Sequence, residues 1–520
     1  MQDPFCPEIA ETGNTEKLKW IRSDNISQFV KKVVVIGSGF ASLSAASFLA
    51  RNGWDVTVLE KNEDPGGRAR QLKEKGFVFD MGPSWYWMPD VFDRYFSCFG
   101  KKTEDYYELL RLDPSYRIYW KDSIMDVPAG YESLQKMFEN LEPGSAAKLD
   151  RFLKEAAYKY RVGMQKLVFK PGQSLKEFLD PGLISGILRL DVFNSIKRHI
   201  GKYFKNEKLR QLLEFPVLFL GALPAQTPAL YSLMNYADIQ LGTWYPKGGM
   251  YSIVQGMYHL ALELGVKFRF NSNVNQINFT KEKASSVQLD SYELFTADVV
   301  VSGADYHFTE TRLVPQHLRS YNEAYWNSRI MAPSCLVYYV GTNKKIPGIR
   351  HHNLFFDTDF EAHGKEIYTS PQWPTDPLFY VCASSVSDDY VSPEGGENLF
   401  FLIPIAAGLT QDDETKREPY FDMMLDRFEQ HTGQTIRENI VFKESYSVSN
   451  FMEDYNAFKG NAYGLANTLK QTANWKPSLR SKKISNLFYT GQLTVPGPGV
   501  PPALISGEVT ASQVNKYFGK

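Results

Sequence analysis

Hydrophobic and polar positions first fall into a clear pattern just after residue 30. Lys31-Lys32 precede the β-branched run Val33-Val34-Val35-Ile36, which ends in Gly37-Ser38-Gly39-Phe40-Ala41-Ser42. An unbroken apolar run of this kind predicts a strand covered on both faces, as in a parallel sheet. Leu43, Ala45, Ala46, Phe48 and Leu49 then mark a small-residue helix that stops near Gly53. Asp55 to Leu59 reads as a second strand ending at Glu60. Much later, an amphipathic helix over Ile253 to Leu264 is followed by Val266-Lys267-Phe268-Arg269-Phe270 and by Asn273-Val274. Ala297 to Asp305 predicts another buried strand ending at a turn. Asn486 to Thr490 predicts a last strand, which runs through a glycine-proline loop into a helix over Ala503 to Tyr517.

The opening strand–helix–strand unit carries a chemistry. Gly37 permits the tight turn, and Gly39 lets backbone N–H groups reach a pyrophosphate at the helix N-terminus. Glu60 is placed to accept hydrogen bonds from ribose hydroxyls. Ser42 stands where a third glycine is expected and is small enough for close packing of helix on strand. The pattern predicts dinucleotide binding around Gly37, Ser38, Gly39, Phe40, Ala41, Glu60 and Lys61. The alternative is an α/β unit with a glycine-rich turn and no ligand.

The next stretch of chain narrows the cofactor. Asp64-Pro65-Gly66-Gly67-Arg68-Ala69-Arg70 comes soon after Glu60, and Phe79-Asp80-Met81-Gly82-Pro83-Ser84 lies shortly beyond. This succession resembles FAD-containing oxidoreductases of the amine oxidase and carotenoid desaturase superfamily. The resemblance implies that Gly67 and Arg68 sit at the pyrophosphate and that Gly82, Pro83 and Ser84 pass beside the isoalloxazine. It also implies that the Val274 backbone meets the adenine. The segment Gly491-Gln492-Leu493-Thr494-Val495-Pro496-Gly497-Pro498-Gly499-Val500-Pro501-Pro502 resembles the C-terminal signature of bacterial-type phytoene desaturases. It implies a second anion and flavin cradle at Gly491, Gln492, Gly499, Val500 and Pro501. His351-His352-Asn353, Asp376 to Tyr380 and Leu402 to Ile405 carry the same likeness, which spans about residues 31–518. Gln492 and Leu493 depart from the small residues of other members, so the surface offered to the flavin differs there.

Composition sharpens this picture. The 520 residues carry 58 Lys+Arg against 59 Asp+Glu, so no global field favours nucleic acid. A hydrophobic share of 43% excludes a disordered chain, and 14% aromatics suit a wide apolar lining. Cys6, Cys98, Cys335 and Cys382 are far apart and form no CxxC pair, which argues against a disulfide scaffold or zinc ribbon. His351-His352 has no acid following at metal-ligand spacing, so structural hydrogen bonding is expected and no metal. Tyr338 and Tyr339 lie in an apolar strand and read as core. Acids occur around Leu175 to Asp180 without an arginine partner, so no catalytic acid or base is assigned.

A membrane surface enters through the substrate. No charged residue occurs between Phe215 and Met234, but Pro216, Pro224 and Pro228 make a spanning helix implausible. Just upstream lie Arg189, Lys197, Arg198, Lys202, Lys205, Lys208 and Arg210, against Asp191 and Glu207. Such a basic stretch beside an uncharged one fits a protein lying on anionic lipid, or else a solvated helix face followed by core. A forty-carbon hydrocarbon costs about 30 kcal/mol to hold in water at ~0.8 kcal/mol per CH₂, so a desaturase must load from lipid. Trp85, Tyr86 and Trp87 are then expected to line an apolar tunnel, or to be ordinary core. A cytoplasmic, peripherally membrane-associated protein is the implied location; residues 1–30 contain no apolar signal region.

The implied fold is α/β, an amine-oxidase-like architecture. It combines an FAD-binding Rossmann-like domain, an interleaved mixed-sheet substrate domain and a helical membrane-facing region. Residues 1–30 read as a polar N-terminal extension, and 31–98, 244–310 and 484–520 as the three parts of the FAD-binding domain. Residues 99–243 read as the helical substrate- and membrane-facing region, and 311–483 as the substrate-domain sheet and helices. The implied activity is FAD-dependent desaturation of phytoene to more conjugated carotenes in carotenoid biosynthesis. A saturated –CH₂–CH₂– offers no carbonyl or acidic proton, so hydride passes to flavin N5 while an adjacent allylic proton leaves. Quinone or oxygen is the implied electron acceptor. Alternatives with the same motifs are a 3,4-desaturase of a hydroxylated carotenoid and a carotene isomerase. An amine or porphyrinogen oxidase would differ near Pro496 to Gly499. From another class, prenyl-binding GDP-dissociation inhibitors share the fold without flavin; Arg68 and the C-terminal segment argue against them.

Overall fold

The computed structural model describes residues 30–174, 177, 190–468 and 471–519. The expected N-terminal extension, apart from Val30, lies outside them, as do Cys6, Arg189 and, except for Glu177, the Leu175 to Asp180 segment.

One half of the molecule is built on a five-stranded parallel sheet. Its order is Leu487–Tyr489, Val299–Ser302, Lys32–Ile36, Asp55–Leu59, Lys267–Arg269. The central strand explains its own sequence. Val33 and Val35 pack into one core, while Val34 and Ile36 pack into a second core on the opposite face. Both faces are dry, so the run has no polar alternation. Each fully buried Val or Ile contributes about 1.5–3 kcal/mol of transfer free energy. Helices Phe40–Arg51 and Val500–Phe518 cover the first face. The antiparallel strands Val274–Thr280, Lys283–Leu289 and Leu294–Thr296 contribute to the core on the second. The two helices approach so closely that a Cβ on Gly507 would lie 2.2 Å from the Ala41 carbonyl oxygen, which leaves room for glycine only.

The other half is a seven-stranded mixed sheet. Its order is Ile440–Tyr446, Ser334–Thr342, Glu397–Ile405, Phe379–Cys382, His352–Phe355, Tyr116–Tyr119, Ile124–Val127. Only the His352–Phe355 and Tyr116–Tyr119 pair runs parallel. Period-two alternation sorts its side chains. Leu336, Tyr338, Val340, Phe401 and Ile403 pack against Phe421, Met424, Leu425 and Phe428 of the helix Glu414–Thr432. Val337, Tyr339, Tyr380, Phe400 and Leu402 face the other way, into the core shared with the parallel-sheet half. Tyr338 and Tyr339 are both fully buried, as the strand pattern predicts.

The helices Tyr131–Leu141, Ser145–Val162, Ile196–Tyr203 and Glu207–Glu214 add their buried faces to the core shared by the two halves. Residues 99–243 are not wholly helical, contrary to the expectation. Strands Tyr116–Tyr119 and Ile124–Val127 extend the mixed sheet, with Tyr116 and Ile118 facing one core and Tyr119 the other. Among the described residues no helix is long and apolar enough to cross a membrane.

Candidate functional site

All the residues singled out from sequence as cofactor contacts line one cavity where the two halves meet. They are Gly37, Ser38, Gly39, Phe40, Ala41, Glu60, Lys61, Gly67, Arg68, Gly82, Pro83, Ser84, Val274, Gly491, Gln492, Gly499, Val500 and Pro501. The turns after Ile36, Leu59 and Tyr489 converge because parallel strands deliver their C-terminal ends to the same edge of a sheet, and the Gly82–Ser84 turn and Val274 join them from antiparallel strands.

The first turn is held from within. Gly37 adopts φ +87° and donates its N–H to the Leu59 carbonyl at 2.8 Å. The Glu60 carboxylate accepts from the Ser38 N–H at 2.8 Å, from the Ser38 hydroxyl at 2.7 Å and from the Asn62 N–H at 3.0 Å. Glu60 is thus fixed rigidly at the cavity edge. Gly39 caps the helix Phe40–Arg51 without any side-chain bond to the first turn, leaving that turn's dipole facing the cavity. Ser42, at the third-glycine position, packs against Gly303, where a Cβ would come within 1.9 Å of the Ser42 hydroxyl oxygen. The close approach is kept by moving the glycine to the partner strand's end.

Arg68 supplies the cation. It extends along the cavity wall, donates to the Asn461 carbonyl at 3.3 Å and stacks its guanidinium 5.4 Å from the Tyr455 ring centre. Its Nε is buried and finds no partner. Burial pulls its pKa below the ordinary value, and Asp305 acts in the opposite direction. Turning the Gln492 amide brings its oxygen to 3.2 Å from Arg68 Nη2, so the departure at this position sits beside the cation. Asp305, at the end of a strand read from sequence, and Tyr455, which no sequence signal marked, complete the setting. Lys61 turns away to the rim, where its ammonium donates to the Glu453 carbonyl at 2.8 Å.

Two expectations change here. The C-terminal helix starts at Val500, not at Ala503. Pro501 and Pro502 occupy its first turn and have no N–H to offer, so this end presents ring carbons to the cavity. Of the three aromatic residues after the Gly82–Ser84 turn, Trp85 and Trp87 line the cavity, whereas Tyr86 does not. Tyr86 is fully buried with its hydroxyl 3.1 Å from that of Tyr107, because successive side chains leave the chain in opposite directions.

The cavity is therefore polar at one end and apolar at the other. Met81, Trp85, Trp87, Val337, Phe400 and Leu402 form much of the apolar end. Cys335, Tyr380 and Tyr463 also line the cavity. Burial raises all three, Cys335 to about 12. The histidine pair lies behind this wall. His351 Nδ1 is 3.0 Å from the Ser387 hydroxyl and His352 Nδ1 is 2.6 Å from the Tyr380 hydroxyl. Cys382 is beside them, with ligand-type atoms of the three within 4.8 Å of one another.

A parallel sheet whose strand ends, uncapped helix N-terminus and incompletely satisfied guanidinium converge on a cleft defines a dinucleotide-dependent oxidoreductase of the flavin class. A family model described as flavin containing amine oxidoreductase matches residues 40–515. A carotenoid 3,4-desaturase of Haloarcula japonica is 42% identical over 92% of this chain and 97% of its own. A zeta-carotene-forming phytoene desaturase of Myxococcus xanthus is 31% identical over 93% of this chain and 94% of its own. An oxidoreductase structure from Methanosarcina mazei superposes with a TM-score of 0.63 at 15% identity, covering 92% of this chain and 100% of that one. The chain belongs to the flavin containing amine oxidoreductase family and, within it, to the carotenoid desaturases. It is an FAD-dependent oxidoreductase. The residues present fit that cofactor: a buried guanidinium nitrogen without a partner and an uncapped helix end both call for an anion.

Proposed function

We propose that this enzyme introduces a double bond at the 3,4-position of a carotenoid whose chain is already partly conjugated. The observation that carries this reading is the 42% identity to a carotenoid 3,4-desaturase, against 31% to the phytoene desaturase from Myxococcus xanthus. Phytoene itself, the substrate expected from sequence, is the second reading, and the 31%-identical relative from Myxococcus xanthus favours it.

Bound FAD supplies the chemistry, acceptance of a hydride. The protein's part follows from its own residues. Arg68 and the first turn of the helix Phe40–Arg51 hold the pyrophosphate, and Glu60 holds the ribose. Val274 flanks the adenine. Trp85, Trp87, Phe400 and Leu402 exclude water and align the hydrocarbon, whose lack of polar handles leaves alignment as the main lever. The Tyr380 and Tyr463 phenols and the Cys335 thiol, raised by burial, do not act as bases.

The substrate comes from lipid. The surface around the helix Ile196–Tyr203 supports this reading, since Arg198, Lys202 and Lys205 are exposed and Phe193 is 85% exposed beside them. Such a face suits peripheral attachment to an anionic membrane on its cytoplasmic side. Quinone or oxygen takes the electrons.

The test is incubation of the FAD-loaded protein in liposomes with either phytoene or a carotene saturated at the 3,4-bond. Products are separated and their visible spectra recorded. Conversion of the second alone, with a red-shifted band, is expected. Conversion of phytoene alone overturns the 3,4-reading in favour of the second.

A further inference from the structure

His352 is a fully buried ionisable group behind the cavity wall, and cofactor binding does not account for it. It is fully buried on the mixed sheet, paired directly opposite Cys382, with Tyr380 as the diagonal neighbour. Its imidazole stacks on Trp85 at 4.0 Å with planes 10° apart. Its Nδ1 lies 2.6 Å from the Tyr380 hydroxyl, and its Nε2 is buried without a partner. Tyr380 in turn donates its hydroxyl proton to the Ser84 hydroxyl oxygen at 3.1 Å. Ser84 and Tyr380 line the cavity; His352 stands behind them.

Proton counting fixes the direction of this chain. A phenol has one proton and two lone pairs. With the Tyr380 proton on Ser84, His352 Nδ1 must be the donor to Tyr380. The other imidazole nitrogen is then a bare lone pair. A buried acceptor left unmatched is less costly and less rare than a buried N–H left unmatched, so this tautomer also explains why Nε2 is tolerated without a partner. Ser84 accepts from Tyr380, and its own proton is free to point into the cavity. The three groups form a one-way series of donors that ends at the cavity wall.

We propose that the Ser84 hydroxyl donates a hydrogen bond to an acceptor atom on the flavin ring, and that Tyr380 and His352 are positioning residues that hold it as a donor. This rests on the FAD reading of the cavity and on the Gly82–Ser84 turn lying beside the ring. That turn is tied to the Arg68 segment, since a Cβ on Gly82 would meet the Arg68 carbonyl oxygen at 2.4 Å. Electrons that arrive on the ring increase the negative charge on its acceptor atoms. A donor fixed in advance therefore stabilises the reduced ring more than the oxidised one and raises its appetite for hydride. The hydrocarbon substrate offers nothing polar to do this for itself.

The experiment is an anaerobic redox titration of the FAD-loaded protein and of Ser84→Ala, Tyr380→Phe and the double variant, followed by the flavin absorption bands. S84A and Y380F are each expected to lower the two-electron reduction equilibrium about tenfold, some 30 mV, and to shift the flavin bands. The double variant should match either single one, because one series of donors is being cut twice. Ser84→Thr should retain the wild-type potential. An unchanged potential in S84A with FAD bound overturns the proposal, as does an additive double variant. A second readout needs no cofactor. In ¹⁵N-histidine spectra of the apoprotein His352 should carry its proton on Nδ1, and a proton on Nε2 overturns the assigned direction. A wild-type protein that binds no FAD would instead break the cofactor reading itself, so the two failures are distinguishable.

Discussion

Two arginines show how differently the two halves treat a buried charge. Arg417, under the mixed sheet, is 5% exposed. It donates to Asp412 at 2.8 Å, to the Ser445 and Ser449 hydroxyls at 2.9 Å each, and to Asn450 at 3.0 Å. Every side of its guanidinium is answered by protein. Arg68, in the cradle, has a carbonyl at 3.3 Å, a ring face and a buried nitrogen with no partner. Both sit in dry surroundings, yet only Arg417 is complete without a ligand. Completed polar groups hold the sheet and its helix together, and incomplete ones mark where something binds. His352, behind the cavity wall, is a different case: one ring nitrogen is bonded to Tyr380 and the other is left as a buried lone pair.

The contrast is sharpest in stability. Arg417→Met leaves Asp412 buried without its counter-charge and should cost about 3–5 kcal/mol in denaturant unfolding, with FAD affinity unchanged in the folded fraction. A loss below about 1 kcal/mol would dissolve the distinction between the two sites. Arg68→Met should do the reverse. Loss of a charge-assisted contact worth about 1.5–3 kcal/mol weakens FAD binding ten- to a hundredfold, while unfolding of the apoprotein shifts by less than about 1 kcal/mol. Flavin fluorescence quenching measures the first and a urea titration the second.

The same pair predicts a pH response. Burial alone would raise the Asp412 carboxyl, but its bonds with Arg417 and the Ser449 N–H more than offset this and hold it below the usual 3.8. The unfolded chain then binds the proton more readily than the folded one. The associated stability is complete above pH about 4 and is lost as pH falls further, through the folded-state pKa. Urea midpoints between pH 3 and 6 should show this slope in the wild type and a weaker one in R417M. The smallest effect is expected at the edge of the parallel sheet, where Lys267 pairs with Asp55 at 2.7 Å but is 63% exposed. Lys267→Ala should change stability by less than about 0.5 kcal/mol. A larger loss would mean that surface pairs carry more of the cradle than burial does.

How much of this was legible in the residues follows the same division. The strand run Val33 to Ile36, the turn at Gly37, the small-residue helix and the acid at Glu60 are close neighbours in sequence, so their spacing alone specified a nucleotide-type unit. Arg68 and the Gly82–Ser84 turn were readable through resemblance, since their roles depend on a fold that their own spacing does not define. The C-terminal helix starts three residues before Ala503, with Pro501 and Pro502 accommodated in its first turn. Tyr455 beside Arg68, Gly303 accommodating Ser42 and Gly507 admitting Ala41 left no local trace.

Local spacing thus specified the nucleotide-type turn from Val33 to Glu60, because a tight turn and a helix end are set by short-range sterics, whereas the flavin class was readable through resemblance. Only the tertiary structure decided how Ser84, Tyr380 and His352 connect. Those three come from a turn and two strands brought together by sheet register, with Tyr380 diagonal to His352 and Ser84 carried over from the other half. Register depends on the packing of both faces of the mixed sheet at once, and no short window of the chain contains that information.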